Sequence, residues 1–109
     1  MNAEIKARWV EALRSGKYQQ GRAALRSLEE RFCCLGVLCD LYSPSEWTTN
    51  GTTTNGTTRY FHRGSLSAFI GADFRAQMGL SDAEAWTLAR MNDDGKSFSN
   101  IADYIEANL

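Results

Sequence analysis

Residues 31–42, Arg-Phe-Cys-Cys-Leu-Gly-Val-Leu-Cys-Asp-Leu-Tyr, decide how this 109-residue chain reads. The run holds all three cysteines, no lysine and a single internal charge, Asp40. A stretch of that composition belongs in an interior, so it is the expected hub of the fold. Wound as a helix, it puts Phe32, Leu35 and Cys39 on one face and Cys34, Leu38 and Leu41 on the next. A buried strand also fits, because periodicity does not separate the two in a short apolar run. The run is long for a wholly buried strand, and helix is the preferred reading. Gly36 inside it costs about 1 kcal/mol against Ala. That cost makes sense where another backbone or a ligand comes close.

Outward from the hub, Ile5, Trp9, Ala12 and Leu13 form one apolar stripe and predict a helix over about residues 3–15, with Gly16 placed for a left-handed cap. Tyr18 and residues 23–28 read as extended, with a turn near Glu29 and Glu30; a short helix over 23–30 competes, since Ala, Leu, Arg and Glu favour helix. Pro44 marks the exit from the cysteine run. Residues 48–58, in which Thr-Thr-Asn-Gly-Thr occurs twice, combine a hairpin turn signal with strand-favouring threonines. They read as a loop or hairpin insertion. A strand follows over 58–64, and a helix over about 66–78. Ser81-Asp-Ala-Glu84 is a capping box that opens a further helix ending near Asn92. Ser97 or Ser99 caps a last helix carrying Phe98, Ile101, Tyr104, Ile105 and Leu109. The expected architecture is α+β: a helix-rich single domain over 1–109, with one small antiparallel sheet and a C-terminal helical hairpin.

Apolar residues make up 43% of the chain and charged ones 23%, an ordinary globular composition that argues against disorder. No apolar run approaches the roughly 20 residues that span a bilayer. The first sixteen residues lack the uninterrupted apolar core of a signal peptide. An odd cysteine count with two adjacent members does not suggest a secreted disulfide framework. These features lead to the expectation of a reducing cytoplasm, where the two Asn-Gly-Thr sequons carry no glycan. Residues 1–32 hold seven basic against four acidic side chains, and residues 33–109 five against nine. A bulk nucleic-acid binder is basic over a whole face; here only the first third offers anion contacts.

Cys33, Cys34 and Cys39 with His62 match no zinc knuckle, since adjacent cysteines and a five-residue step are not the usual spacing. They read as small buried side chains, with no metal and no cofactor. Asn92, Asp94 and Gly95 fit three positions of a calcium loop, but Arg90 and Ile101 stand where carboxylates are required. Residues 80–105 resemble the two supporting helices of helix-turn-helix domains. The segment is acidic, which repels phosphate, and sequence-specific DNA binding is not expected. A single histidine and the lack of phosphate-loop, nucleophile-elbow and zincin motifs argue against an enzyme.

Three segments, RWVEALRSGKYQQGR (8–22), FCCLGVLCDLY (32–42) and MNDDGKSFSNIADYIE (91–106), resemble small proteins encoded by tailed bacteriophages. The likeness covers about half the chain, and residues 48–58 depart from it as an insertion would. It implies the cytoplasm of an infected bacterium and supplies no activity. Small phage proteins of this size are often inhibitors of host defence. The resulting expectation is a non-enzymatic binder of a small anionic nucleotide messenger. Arginines would take the phosphate, aromatic rings the base face and side-chain amides the base edge. The residues available for that are Tyr18, Gln20, Arg22, Arg26, Trp47, Arg59, Tyr60 and Asn92. The alternative is a protein–protein inhibitor of a host defence complex, comparable to the blockers of CRISPR effectors. Neither involves a membrane, and both are compatible with a homo-oligomer.

Overall fold

A computed structural model describes residues 1–52, 58–62 and 69–109; of residues 50–52, 58 and 59 it describes the backbone. The first helix, α1 (Ala3–Arg14), begins where the Asn2 side chain accepts from the amides of Glu4 and Ile5, and Gly16 follows it at φ +78°. Its stripe buries Trp9, Val10 and Leu13. Next come β1 (Gln19–Gln20) and β2 (Arg31–Phe32), which pair in parallel with Gln19 opposite Arg31. The cysteine run is helical from Cys34 to Tyr42 (α2). Its N-cap is Cys33, whose thiol sulfur accepts from the Gly36 amide at 3.4 Å.

Helix α2 is the hub. It packs against both α1 and α4 (Asp82–Asp93), and α1 lies along α5 (Phe98–Asn108). Cys34, Leu35, Val37, Leu38 and Cys39 are completely buried. A fully buried leucine is worth about 1.5–3 kcal/mol over an exposed one. The Trp9 indole N–H donates to the Cys34 carbonyl at 2.9 Å, so the core's largest side chain has its polar atom satisfied.

After a 3-10 turn at Pro44–Glu46, β3 (Thr48–Thr52) and β4 (Thr58–Phe61) pair antiparallel, with Thr48 opposite Phe61. Of residues 48–58, expected as a loop or hairpin insertion, Thr48–Thr52 are β3 and residues 53–57 lie outside the described residues. So does the start of the helix expected over 66–78. Its described part, α3, runs only Ala72–Gln77: Phe69 and Ile70 precede it, and extended Gly71 serves as its N-cap, a residue poorly suited to helix interior. Residues 21–30 form neither a strand nor a helix; Arg26 alone bridges to Phe32. The capping box of Ser81 and Glu84 and the Ser97 cap are both formed. The domain is thus α+β and helix-rich, with the antiparallel β3–β4 pair, the additional short parallel pair, and α4–α5 as a closing helical hairpin.

Gly36 explains how residues 21–30 are held. The Leu25 carbonyl oxygen lies over it so closely that a Cβ there would sit 1.8 Å from that oxygen. The same carbonyl accepts from the Cys33 amide at 3.2 Å, and the Leu25 side chain is fully buried. The close backbone approach expected from a glycine in this run is therefore a contact with the chain's own loop. It fixes Leu25 on the hub, and with it the neighbouring Arg26.

Candidate ligand site

Arg26 leaves that anchor toward the β3–β4 pair. Ser27 donates its amide to the Arg31 carbonyl and Glu30 its amide to the Ser27 carbonyl, which closes a tight turn with Glu30 at φ +60°. The turn brings the Glu30 carboxylate onto Arg26 as a bidentate pair: Nε and Nη2 each donate at 2.7 Å. The guanidinium holds the Glu30 carboxyl below its ordinary range. Three rings surround the same guanidinium, Tyr60 at 4.1 Å and Phe32 and Trp47 at 5.4 Å each. Cation–π contact of this kind suits arginine, whose weakly hydrated plane loses little on leaving water. Among the described residues the Nη1 edge of Arg26 has no hydrogen bond.

The rings continue as an edge-to-face series. Tyr18 meets Phe32 at 5.0 Å, Phe32 meets Trp47 at 6.3 Å, and Trp47 meets both Tyr60 and His62. Asp40, the lone charge of the cysteine run, ties two of them together. It accepts from the Tyr18 hydroxyl at 2.7 Å and from the Trp47 indole N–H at 3.1 Å. Burial, then the bond to Asp40, pushes the Tyr18 hydroxyl up to about 12. His62, flanked by Trp47 and Phe74, donates from Nε2 to the Ser43 carbonyl. Tyr18, Arg26, Trp47 and Tyr60, half of the residues named from sequence, thus share one cluster. The Arg59 side chain lies outside the described residues, although its backbone is the neighbour of Tyr60 in β4. Glu30, Phe32 and Asp40 complete the cluster, though none of them was among the eight candidate ligand contacts. Only Asp40 carried a signal in the sequence, as the one charge in an apolar run.

Gln20, Arg22 and Asn92 lie elsewhere. Asn92 is fully buried and makes four hydrogen bonds. Its Oδ1 accepts from Gln20 Nε2 at 2.9 Å and the Cys34 amide at 3.2 Å; its Nδ2 donates to the Gly21 carbonyl at 2.8 Å and Asp93 Oδ1 at 3.3 Å. An amide side chain has two donors and two lone pairs, so nothing remains for a base edge. Gln20 gives its other amide hydrogen to the Lys96 carbonyl. Both residues serve the fold. The exposed Arg22 guanidinium lies over Gly95.

The basic character of the first third is answered in part within the chain. Arg14 pairs with Asp103 at 2.6 Å and Glu106 at 2.9 Å, beside a groove of about 740 Å³ lined by Lys6, Val10, Lys17 and others. Arg8 lies over the Tyr42 ring. The three thiols are free and buried. Burial raises the pKa of all three, Cys33 to about 11, which keeps them protonated and unreactive. Among the described residues no three of His, Cys, Asp and Glu gather as a metal ion would require, and no helix is long and apolar enough to cross a membrane.

The family described as "Domain of unknown function (DUF8296)" has a model that matches residues 1–69. No curated protein and no solved structure matches the chain. Every member of the Arg26 cluster falls within the matched part, whereas Asn92 and the helical hairpin lie beyond it. With well over half of its length matched, the chain belongs to the DUF8296 family.

Proposed function

We propose that this protein is a non-enzymatic, phage-encoded binder that sequesters a small anionic nucleotide messenger of host defence in the cytoplasm of the infected bacterium. The observation that carries the reading is the Arg26 guanidinium, ringed by Tyr60, Phe32 and Trp47 and answered by one exposed carboxylate. A phosphate matches the fork that Glu30 now fills, and the Nη1 edge offers further donors. Glu30 is about half exposed, so an incoming anion can displace it into water at little electrostatic cost. The partly exposed rings of Tyr18, Trp47 and Tyr60 supply faces for a base.

Calorimetry against a panel of cyclic dinucleotides and cyclic ADP-ribose isomers tests this. One of them should bind, and Arg26→Ala should weaken it by roughly 10- to 150-fold, the scale of a lost charge-assisted bond. Glu30→Gln should tighten it by removing the competing charge. Arg22→Ala should change it little, because Arg22 sits over Gly95. No heat with any member of the panel would overturn the reading. A second reading, a protein–protein inhibitor of a defence complex, is favoured by Leu28, an apolar side chain 51% exposed on the turn beside Arg26. Capture of a host protein that depends on Leu28 would support it.

A further inference from the structure

The largest exposed aromatic surface lies away from the Arg26 cluster. Trp86 is 58% exposed on α4. One face of its indole stacks on Phe69, with centroids 4.3 Å apart and planes 19° from parallel. The phenyl ring fixes the indole and leaves its opposite face to solvent. Beside it is a hollow of about 470 Å³, lined by Ala83, Trp86, Arg90, Met91, Asp94 and Lys96 among others. That is the size of a small-ligand pocket, and an apolar wall with a few charged groups is the usual make-up of one. Among the described residues neither Arg90 nor Lys96 has an ion-pair partner. Thr87 does not compete for these groups, since its hydroxyl donates to the Ala83 carbonyl.

We infer that this hollow is a second binding site, for an aromatic ring that carries both an amino group and an anion, the chemistry of an aminopurine nucleoside monophosphate. The ring lies on the free face of Trp86, extending the stack begun by Phe69. Base–aromatic stacking is sequence-tolerant because every base has a π face. The anion meets Arg90 and Lys96, which have no ion-pair partner among the described residues. Asp94, a carboxylate that can only accept, takes the amino hydrogens. Nothing in this assignment draws on Arg26.

Adenosine monophosphate is the probe, followed through the three indole N–H signals of the ¹⁵N-labelled protein. Trp9 is fully buried and Trp47 bonds Asp40, so the three tryptophans report separate places. The Trp86 signal should shift saturably, and Trp86→Ala should weaken binding at least about fivefold, the low end of a lost stacking contact. Arg90→Ala and Lys96→Ala should each weaken it by a similar factor. Adenosine and ribose 5-phosphate should bind more weakly than the monophosphate, since each lacks one half of the recognition. Arg26→Ala should leave the titration unchanged, which separates this site from the cluster above. Trp86, Arg90 and Lys96 are on the surface, and unchanged melting of their variants shows that folding is not what is being read. A titration that leaves the Trp86 signal in place overturns the inference, as does binding that survives Trp86→Ala but is lost in Arg26→Ala.

Discussion

Two polar centres in this domain look alike in sequence and differ in what they have left over. Around Asn92, every donor and acceptor of the amide is used, the residue is wholly buried, and its partners come from residues 20–21, the start of α2 and Asp93. Around Arg26, the guanidinium is mostly buried, yet one edge has no hydrogen bond among the described residues and its counter-charge is exposed. The first centre has no capacity for a ligand. The second has both capacity and a replaceable partner. Remaining hydrogen-bond capacity, rather than residue type, therefore separates a group that holds the fold from one that can bind.

The comparison can be broken first at the hub that supports both centres. Leu38→Asp should abolish folding, since an unpaired buried carboxylate costs several kcal/mol out of a total of roughly 5–15. A soluble, cooperatively melting variant would contradict the placement of α2. Gly36→Ala comes next. Its Cβ would collide with a backbone carbonyl that has no rotamer to escape by, so a loss of about 3 kcal/mol, the upper range for overpacking, is expected in denaturant unfolding. Because the displaced loop carries Arg26, ligand affinity should fall with it.

Asn92→Ala should lose about 2–3 kcal/mol by leaving the Cys34 amide and Gly21 carbonyl unpaired. It should leave affinity at Arg26 intact in the folded fraction. Arg26→Ala should show the reverse. Its cation–π contacts and exposed ion pair support roughly 1 kcal/mol of stability, a shift of about 4–8 °C in Tm, against a much larger loss of binding. Equal stability losses at the two positions would remove the distinction.

A pH scan adds a test of the thiols beneath both centres. They are held neutral in the fold with raised pKa values, whereas unfolded thiols titrate near 8.5. Their contribution is therefore complete below about pH 8.5 and is lost as pH rises toward 11, where Cys33 titrates, at about 1.4 kcal/mol per pH unit for each thiol. A melting temperature that stays level between about pH 8 and 10 would place the cysteines in water.

Local features of the fold were legible in the sequence. The stripe of Trp9 and Leu13 and the capping box at Ser81 each state their structure within one or two turns, whereas the apolar run at 31–42 announced burial and left helix and strand both open. Gly36 announced a close approach, though not by what. The helix expected from Leu66 was read past Gly71, where the backbone is extended. The site was legible only in part. Tyr18, Arg26, Trp47 and Tyr60 were identifiable as suitable chemistry, but their meeting depends on the Leu25 anchor and the β3–β4 pairing. Asn92 and Gln20 had equally suitable chemistry, and only their tertiary partners reveal that they are committed elsewhere. The turn at Glu29 and Glu30 was legible, but not that Glu30 itself is left-handed there and carries its carboxylate onto Arg26.

The pairing of α1 with α5 has a consequence for synthesis on the ribosome. Arg14 and Asp103, which join these helices, are 89 residues apart. At 5–20 residues per second, α1 emerges roughly 4 to 18 s before its partner. A helix of this length is marginal alone in water. The stripe of Trp9, Val10 and Leu13 therefore waits for α5 with only α2 to cover it, and the nascent chain passes through an interval in which part of that apolar face is open to chaperones, proteases and other chains.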